Sequence, residues 1–324
     1  NWNYNWSGYC AIDGYTYVPN DNFEQALIDL NYDDVIDNYV FTDNINNLSS
    51  LNVSSKTISD LTGIEDFISL ESLNCSYNDL TSLALSNNAP MTGYLFCTGN
   101  QLTDLDVSTY TELKNLGVGH NLLTVLDVSQ NTALTDLSFG GNQLVNIDVS
   151  SNVELVFLDI FDNNISSLNL SNNSLLNHLN ADYNDLIDID ITNNTALTYL
   201  SFHSNDLTAL DLSTNIELVT LKVSNNNMLN LDLSKNTELV DISCQNNQLS
   251  YLNMRNGITD SLTTFNASDN PDLACIETLN PTYATDNWTN IDEGVTFSVI
   301  CGTEQQDSLW HVATTGSDAS GDGS

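Results

Sequence analysis

The sequence predicts an α/β solenoid of about eleven 21-residue turns that stack a parallel sheet on one face, and three observations carry this. Asparagines recur on a fixed register: Asn100, Asn121, Asn142, Asn163, Asn184, Asn205, Asn226 and Asn247 are each 21 residues apart. Asn78 precedes them by 22 and Asn270 follows by 23. Apolar residues hold fixed offsets from each asparagine, as Leu155, Leu158, Ile160 and Ile165 do around Asn163. The second half of every unit repeats as well, with LDVS at Leu105 and Leu126, IDVS at Ile147, LNLS at Leu168 and LDLS at Leu210 and Leu231. Such a period marks units that cannot bury their apolar side alone and do so by stacking.

Within a unit, Leu158 and Ile160 alternate with Phe157, Asp159 and Phe161, a period of two that reads as a short strand with its aliphatic residues inward. Strands one turn apart would lie about 4.8 Å from each other, giving a sheet about 48 Å long. The recurring asparagine falls where the chain must leave the strand. Its amide is expected to bond main-chain groups of its own and the next turn, a structural column and not a binding ladder. The pattern LxxLxLxxNxL resembles the leucine-rich repeat family over Leu48 to Asn270, with Lys56 in the asparagine place of the first turn.

The return half alternates too, and sends Asp106, Asp127, Asp148, Asp190, Asp211 and Asp232 outward on the convex side. Like charges one turn apart repel. Hydrogen bonds from neighbouring Ser and turn amides, salt screening or bound cations must offset this, and stacked carboxylates suit Ca²⁺ as the one cofactor expected.

Residues 1–16 carry no assignable pattern. In 17–47 the text becomes YVPNDNFEQALIDL, where Asp21 followed by Glu24 reads as a capping-box start and Phe23, Ala26, Leu27 and Leu30 share one helical face. A helix here would close the open end of a core built from the repeats at 48–270. This segment and ISDLTGIEDFISLESLNCS resemble the cap and first repeats of secreted leucine-rich repeat proteins of the Bacteroidetes, and ISDLTGIE resembles the internalin style of repeat. Residues 271–302 resemble the terminal cap of the same proteins, which implies a Cys275–Cys301 disulfide and an oxidising compartment. Cys75, Cys97 and Cys244 share one inward site. The first two stand on adjacent turns, as a second disulfide or as stacked thiols. Residues 303–324 read as a linker and the start of a further domain, LWHVATTGSDASGDGS resembling the opening of a right-handed β-helix.

With 43 acidic against 5 basic residues the net charge is −38, which argues against nucleic acid and anionic membrane surfaces as partners. No apolar run reaches membrane-spanning length. There is no HExxH, CxxC, Walker loop or GxGxxG, His is scarce, and paired carboxylates are too common to mark a catalytic dyad, so no enzymatic activity is expected.

The outward strand positions lie six, four and two residues before each asparagine. Most hold small polar residues, but three successive turns give Phe157, Asp159, Phe161, then His178, Asn180, Asp182, then Tyr199, Ser201, His203, with Tyr94 and Phe96 as a smaller cluster upstream. Phe157, Asp159, Phe161, His178, Asn180, Asp182, Tyr199 and His203 are the expected ligand-binding residues. Aromatic groups flanked by Asp, Asn and His suit sugar rings or a protein hot spot, while plain pairing between neighbouring strands is the structural alternative. Replacing Phe157 and Tyr199 by Ala is expected to remove affinity with little loss of stability. The sequence thus reads as an extracellular or cell-surface recognition module for a glycan or a surface protein. The alternatives are an accessory domain of a polysaccharide-acting β-helix enzyme and a cation-stiffened adhesin stalk.

Overall fold

A computed structural model describes residues 3–4, 10–85 and 89–302. The expected β-helix start at 303–324 lies outside them. The core of the molecule is an eleven-stranded parallel sheet whose strands, from Ser50–Asn52 to Thr264–Asn266, follow one another in sequence order apart from one convex strand, Asn230–Asp232, and a second, Tyr251–Met254, that belong to another sheet. Equivalent residues pair from turn to turn, as Leu158 does with Leu137 and Leu179. One continuous apolar core runs from Val18 to Trp288. On the convex side the strands Asn230–Asp232, Tyr251–Met254, Cys275–Thr278 and Thr296–Ser298 form a second parallel sheet.

The corner asparagines are structural, and their bonds run within their own turn, as expected, and to the preceding turn. Asn184 donates through Nδ2 to the carbonyls of Ile160 at 3.0 Å and Ala181 at 3.3 Å, and its Oδ1 accepts from Ile165 N–H at 3.0 Å. Ile160 and Ile165 belong to the turn before, so the expected partner on the next turn is corrected to the previous one. The cause is visible in the backbone: the residue before each corner asparagine adopts a left-handed conformation, with φ of 50° at His120, 52° at Asp162 and 54° at Tyr183. That corner swings the asparagine back beneath the preceding strand. Such a conformation costs a non-glycine residue about 1 kcal/mol, and the asparagine bonds offset it.

A second asparagine column escaped the sequence reading. Asn131, Asn152, Asn173, Asn194, Asn215 and Asn236 are fully buried on the convex half, and each donates twice to carbonyls of the preceding turn, Asn173 to Val149 at 3.1 Å and Asn152 at 2.8 Å. Their Oδ1 atoms receive no hydrogen bond.

At the N-terminal end the helix Asp21–Asp29 closes the core, with Phe23, Ala26 and Leu27 buried and Phe23 stacked on Phe67 at 6.3 Å. Two expectations are corrected. The cap is Asn20, whose Oδ1 accepts from Phe23 N–H at 3.0 Å, and Leu30 ends the helix 39% exposed. Glu24 therefore lies one place too late for a capping box and turns inward, where Oε1 accepts from the backbone of Asp37 and Tyr39. Burial pushes its carboxyl above the ordinary carboxylate range despite those bonds. Lys56, in the asparagine place of the first turn, pairs with Asp29 of the helix at 2.8 Å.

The C-terminal end is closed by the Cys275–Cys301 disulfide, a short helix Pro281–Asn287 and Trp288, which packs on Phe265. Beyond the last strand of the concave sheet the chain supplies imitation partners for the next turn: Asn290 offers its carbonyl to Ala267 N–H at 2.9 Å, and the Asp292 carboxylate accepts from Asp269 at 2.8 Å and Asn270 at 2.6 Å.

Candidate functional site

The period-two alternation that buries Leu158, Leu179 and Leu200 turns Phe157, His178 and Tyr199 outward on three adjacent strands, in register. Their rings stack face to face, Phe157 on His178 at 4.4 Å and 14°, His178 on Tyr199 at 4.2 Å and 6°. Burial between the two rings holds His178 below the ordinary histidine pKa, so the stack is neutral at pH 7. Lys222 Nζ lies 5.8 Å from the centre of the Tyr199 ring, a cation over the end of the ladder. Inner ring faces are thus spent on one another, and the ladder presents edges along its length. Loss of these rings costs packing as well as binding surface, about 1 kcal/mol for each stacked pair, which amends the expectation of little stability loss.

The opposite edge of the patch is a hydrogen-bonded network. Asp182 Oδ1 accepts from Ser201 Oγ at 2.5 Å and His203 N–H at 2.7 Å, while the His203 ring bridges Ser224 Oγ at 2.6 Å and Tyr183 Oη at 3.1 Å. Phe161 leans over Gly140, where a Cβ would collide with its ring, and meets His120 edge-on at 5.5 Å. Between the edges, Asp159 and Asn180 each turn a side-chain oxygen to the backbone N–H two residues on. Burial, and then the charge of Asp182, push the Asp159 carboxyl up. The fold thus brings all eight expected residues onto one three-strand patch but commits part of their polar capacity internally. His120 and Tyr183, which flank the patch, went unread. Their signal was the offset of one residue before the asparagine.

Upstream, Tyr94 and Phe96 stack at 4.7 Å. Between Phe96 and Phe157 the sheet carries only small outward residues, leaving a slot of about 220 Å³ floored by Asn115, Gly117, Asp136 and Ser138.

On the convex side each Asp of the column makes an Asx turn: Asp106, Asp127, Asp148, Asp190, Asp211 and Asp232 accept the backbone N–H two residues on at 2.9 to 3.0 Å. Hydroxyl and backbone bonds from Ser108, Ser150, Thr192 and Ser213 hold Asp106, Asp148, Asp190 and Asp211 below the ordinary range, and Asp127 is lowered first by the backbone of Ser129. Among the described residues no group of three or more His, Cys, Asp or Glu side chains gathers closely enough to share a metal ion. Cys75, Cys97 and Cys244 are buried free thiols, and burial pushes Cys244 up to about 12.

No protein-family model matches the sequence, and no curated protein matches it. Among solved structures, the functional domain of InlJ from Listeria monocytogenes, described as including a cysteine ladder, is similar with a TM-score of 0.64 and 30% identity, covering 82% of this chain and 67% of that one. An internalin, inlF, of the same organism aligns with a TM-score of 0.71 at 18% identity over 87% and 91%, and a leucine-rich repeat protein of Leptospira interrogans with 0.63 at 21% over 79% and 69%. The last two show the fold alone. Among the described residues no helix is long and apolar enough to cross a membrane. With the corner asparagines, the in-register sheet and the InlJ likeness together, the chain belongs to the leucine-rich repeat family, with internalins as its structural neighbours.

Proposed function

We propose that this chain is an extracellular, non-catalytic recognition module that grips a surface protein across its concave sheet, with the Phe157, His178, Tyr199 ladder at the centre of contact. The observation that carries the reading is the stack itself: three aromatic rings, half-buried and held rigid by one another, stand in register on a sheet face whose outward positions are mostly small and polar. Rigid aromatic groups lose little entropy on binding and dominate protein contacts. A protein partner fits better than a glycan. Sugar rings pack on aromatic faces, and here the inner faces are covered by the neighbouring rings. A net charge of −38 favours a basic partner surface.

The test probes arrays of cell-surface proteins and of glycans with the wild type, with Phe157→Ala/Tyr199→Ala and with Thr220→Ala/Asp241→Ala. A protein ligand retained by the second double variant and lost at least tenfold by the first is the expected result. Equal binding by both variants would move the site to another face, and capture of a neutral glycan with the same mutational pattern would replace the protein by a sugar.

A further inference from the structure

We infer that the slot between Phe96 and Phe157 receives a cationic side chain, arginine or lysine, of the partner, with Asp136 as its counter-charge. The inference rests on the recognition reading above and adds to it a second contact point with its own chemistry.

The slot follows from sequence. The strands that carry Phe96 and Phe157 are three steps apart, about 14 Å. Between them the outward positions hold Asn115 and Gly117, then Asp136 and Ser138, so the floor is low. Gly117 is needed for one wall: a Cβ there would come within 3.0 Å of Phe96 Cδ1. The resulting space, about 220 Å³, takes one long side chain.

Charge decides the occupant. Asp136 turns Oδ2 to Thr135 Oγ1 at 2.6 Å, and its other oxygen receives no hydrogen bond and makes no ion pair among the described residues. An apolar side chain entering the slot would strip water from that carboxylate and give nothing back. A guanidinium or ammonium group would meet the carboxylate at the floor and two ring walls at the sides. The molecule holds its own example of the arrangement: Lys222 lies over the far end of the same ladder, against Tyr199. Phe157 is the other end, and its outer face is a wall of the slot.

The experiment titrates the full chain with N-acetyl-arginine methylamide, its uncharged citrulline counterpart and methyl β-glucopyranoside, reading NMR shifts of Gly117, Ser138 and the Phe157 ring. Saturable shifts are expected with the arginine probe, at least tenfold weaker binding with citrulline and none with the glucoside. Asp136→Asn should weaken the arginine probe about tenfold, and Ser138→Trp, which fills the slot from an outward position, should abolish its binding with the melting temperature retained. Equal binding of arginine and citrulline, or an unchanged Asp136→Asn, overturns the inference. The two readings fail separately. If a partner depends on the ladder but is indifferent to Asp136→Asn and Ser138→Trp, the slot is refuted and the ladder stands; if the arginine probe behaves as described while no partner needs Phe157 and Tyr199, the slot stands and the ladder reading falls.

Discussion

The two asparagine columns use one residue type at one spacing, yet they hold the chain together differently. At the concave corner the asparagine is the sole partner of a buried N–H: Ile165 N–H has only Asn184 Oδ1. On the convex half the carbonyls that Asn173 reaches already have backbone partners, Val149 O from Asn152 N–H and Asn152 O from Leu155 N–H, and its own Oδ1 goes without. One column supplies bonds the backbone lacks. The other adds second bonds to carbonyls already served, at the cost of its own buried oxygen.

That difference is measurable by denaturant unfolding. Asn184→Ala should cost about 4 kcal/mol, since it leaves a buried N–H without a partner and removes several bonds at once. Asn173→Ala should cost about half, about 2 kcal/mol, because no backbone group is left bare and one buried orphan oxygen disappears. Equal costs would erase the distinction. On the concave side, His178→Ala should cost about 2 kcal/mol, about 1 kcal/mol for each of the two stacked pairs it breaks. The wild-type His178 should titrate below its ordinary 6.5 by NMR. Its folded pKa is depressed, so the unfolded chain binds the extra proton first, and stability should decline as pH falls below 6.5. The convex aspartates respond to acid in the same direction, at lower pH. Their lowered carboxyls stabilise above their unfolded pKa of 3.8, and that contribution is lost as pH falls through the still lower folded values. Because each is already held by an Asx turn, calcium and sodium at matched ionic strength should raise the melting temperature equally; a larger shift with calcium would mean that ions bridge the column. The smallest effect belongs to the corner itself. Asp162→Gly should stabilise by about 0.5 kcal/mol, since glycine accepts its φ of 52° without strain.

Much of this is legible in the sequence. Leu158 and Asn163 declare their places because burial and turn geometry tolerate few alternatives there, and repetition over the turns averages out the exceptions. Asn173 was equally regular and was missed. A polar residue in a run such as SNNSLL reads as a surface turn, and only the stacked neighbour reveals that it is buried. The helix cap slipped by one residue because Asn20 and Asp21 are both competent caps. The site was readable as a list and unreadable as a shape: offsets placed Phe157, His178 and Tyr199 on one line, but whether rings lie flat on the sheet or on one another is set by side-chain torsions. The same holds for the slot, whose walls depend on Phe96 leaning over Gly117.

Asp292 shows a different kind of limit. A stack of identical units has no internal reason to stop, and its bare last strand is a template on which another molecule's first turn would fit. The carboxylate of Asp292 and the carbonyl of Asn290 fill three of those N–H positions from within the same chain. The array's length is therefore written twice, once by the number of repeats and once by a punctuation mark that makes the protein a finite object and not the first segment of a fibre.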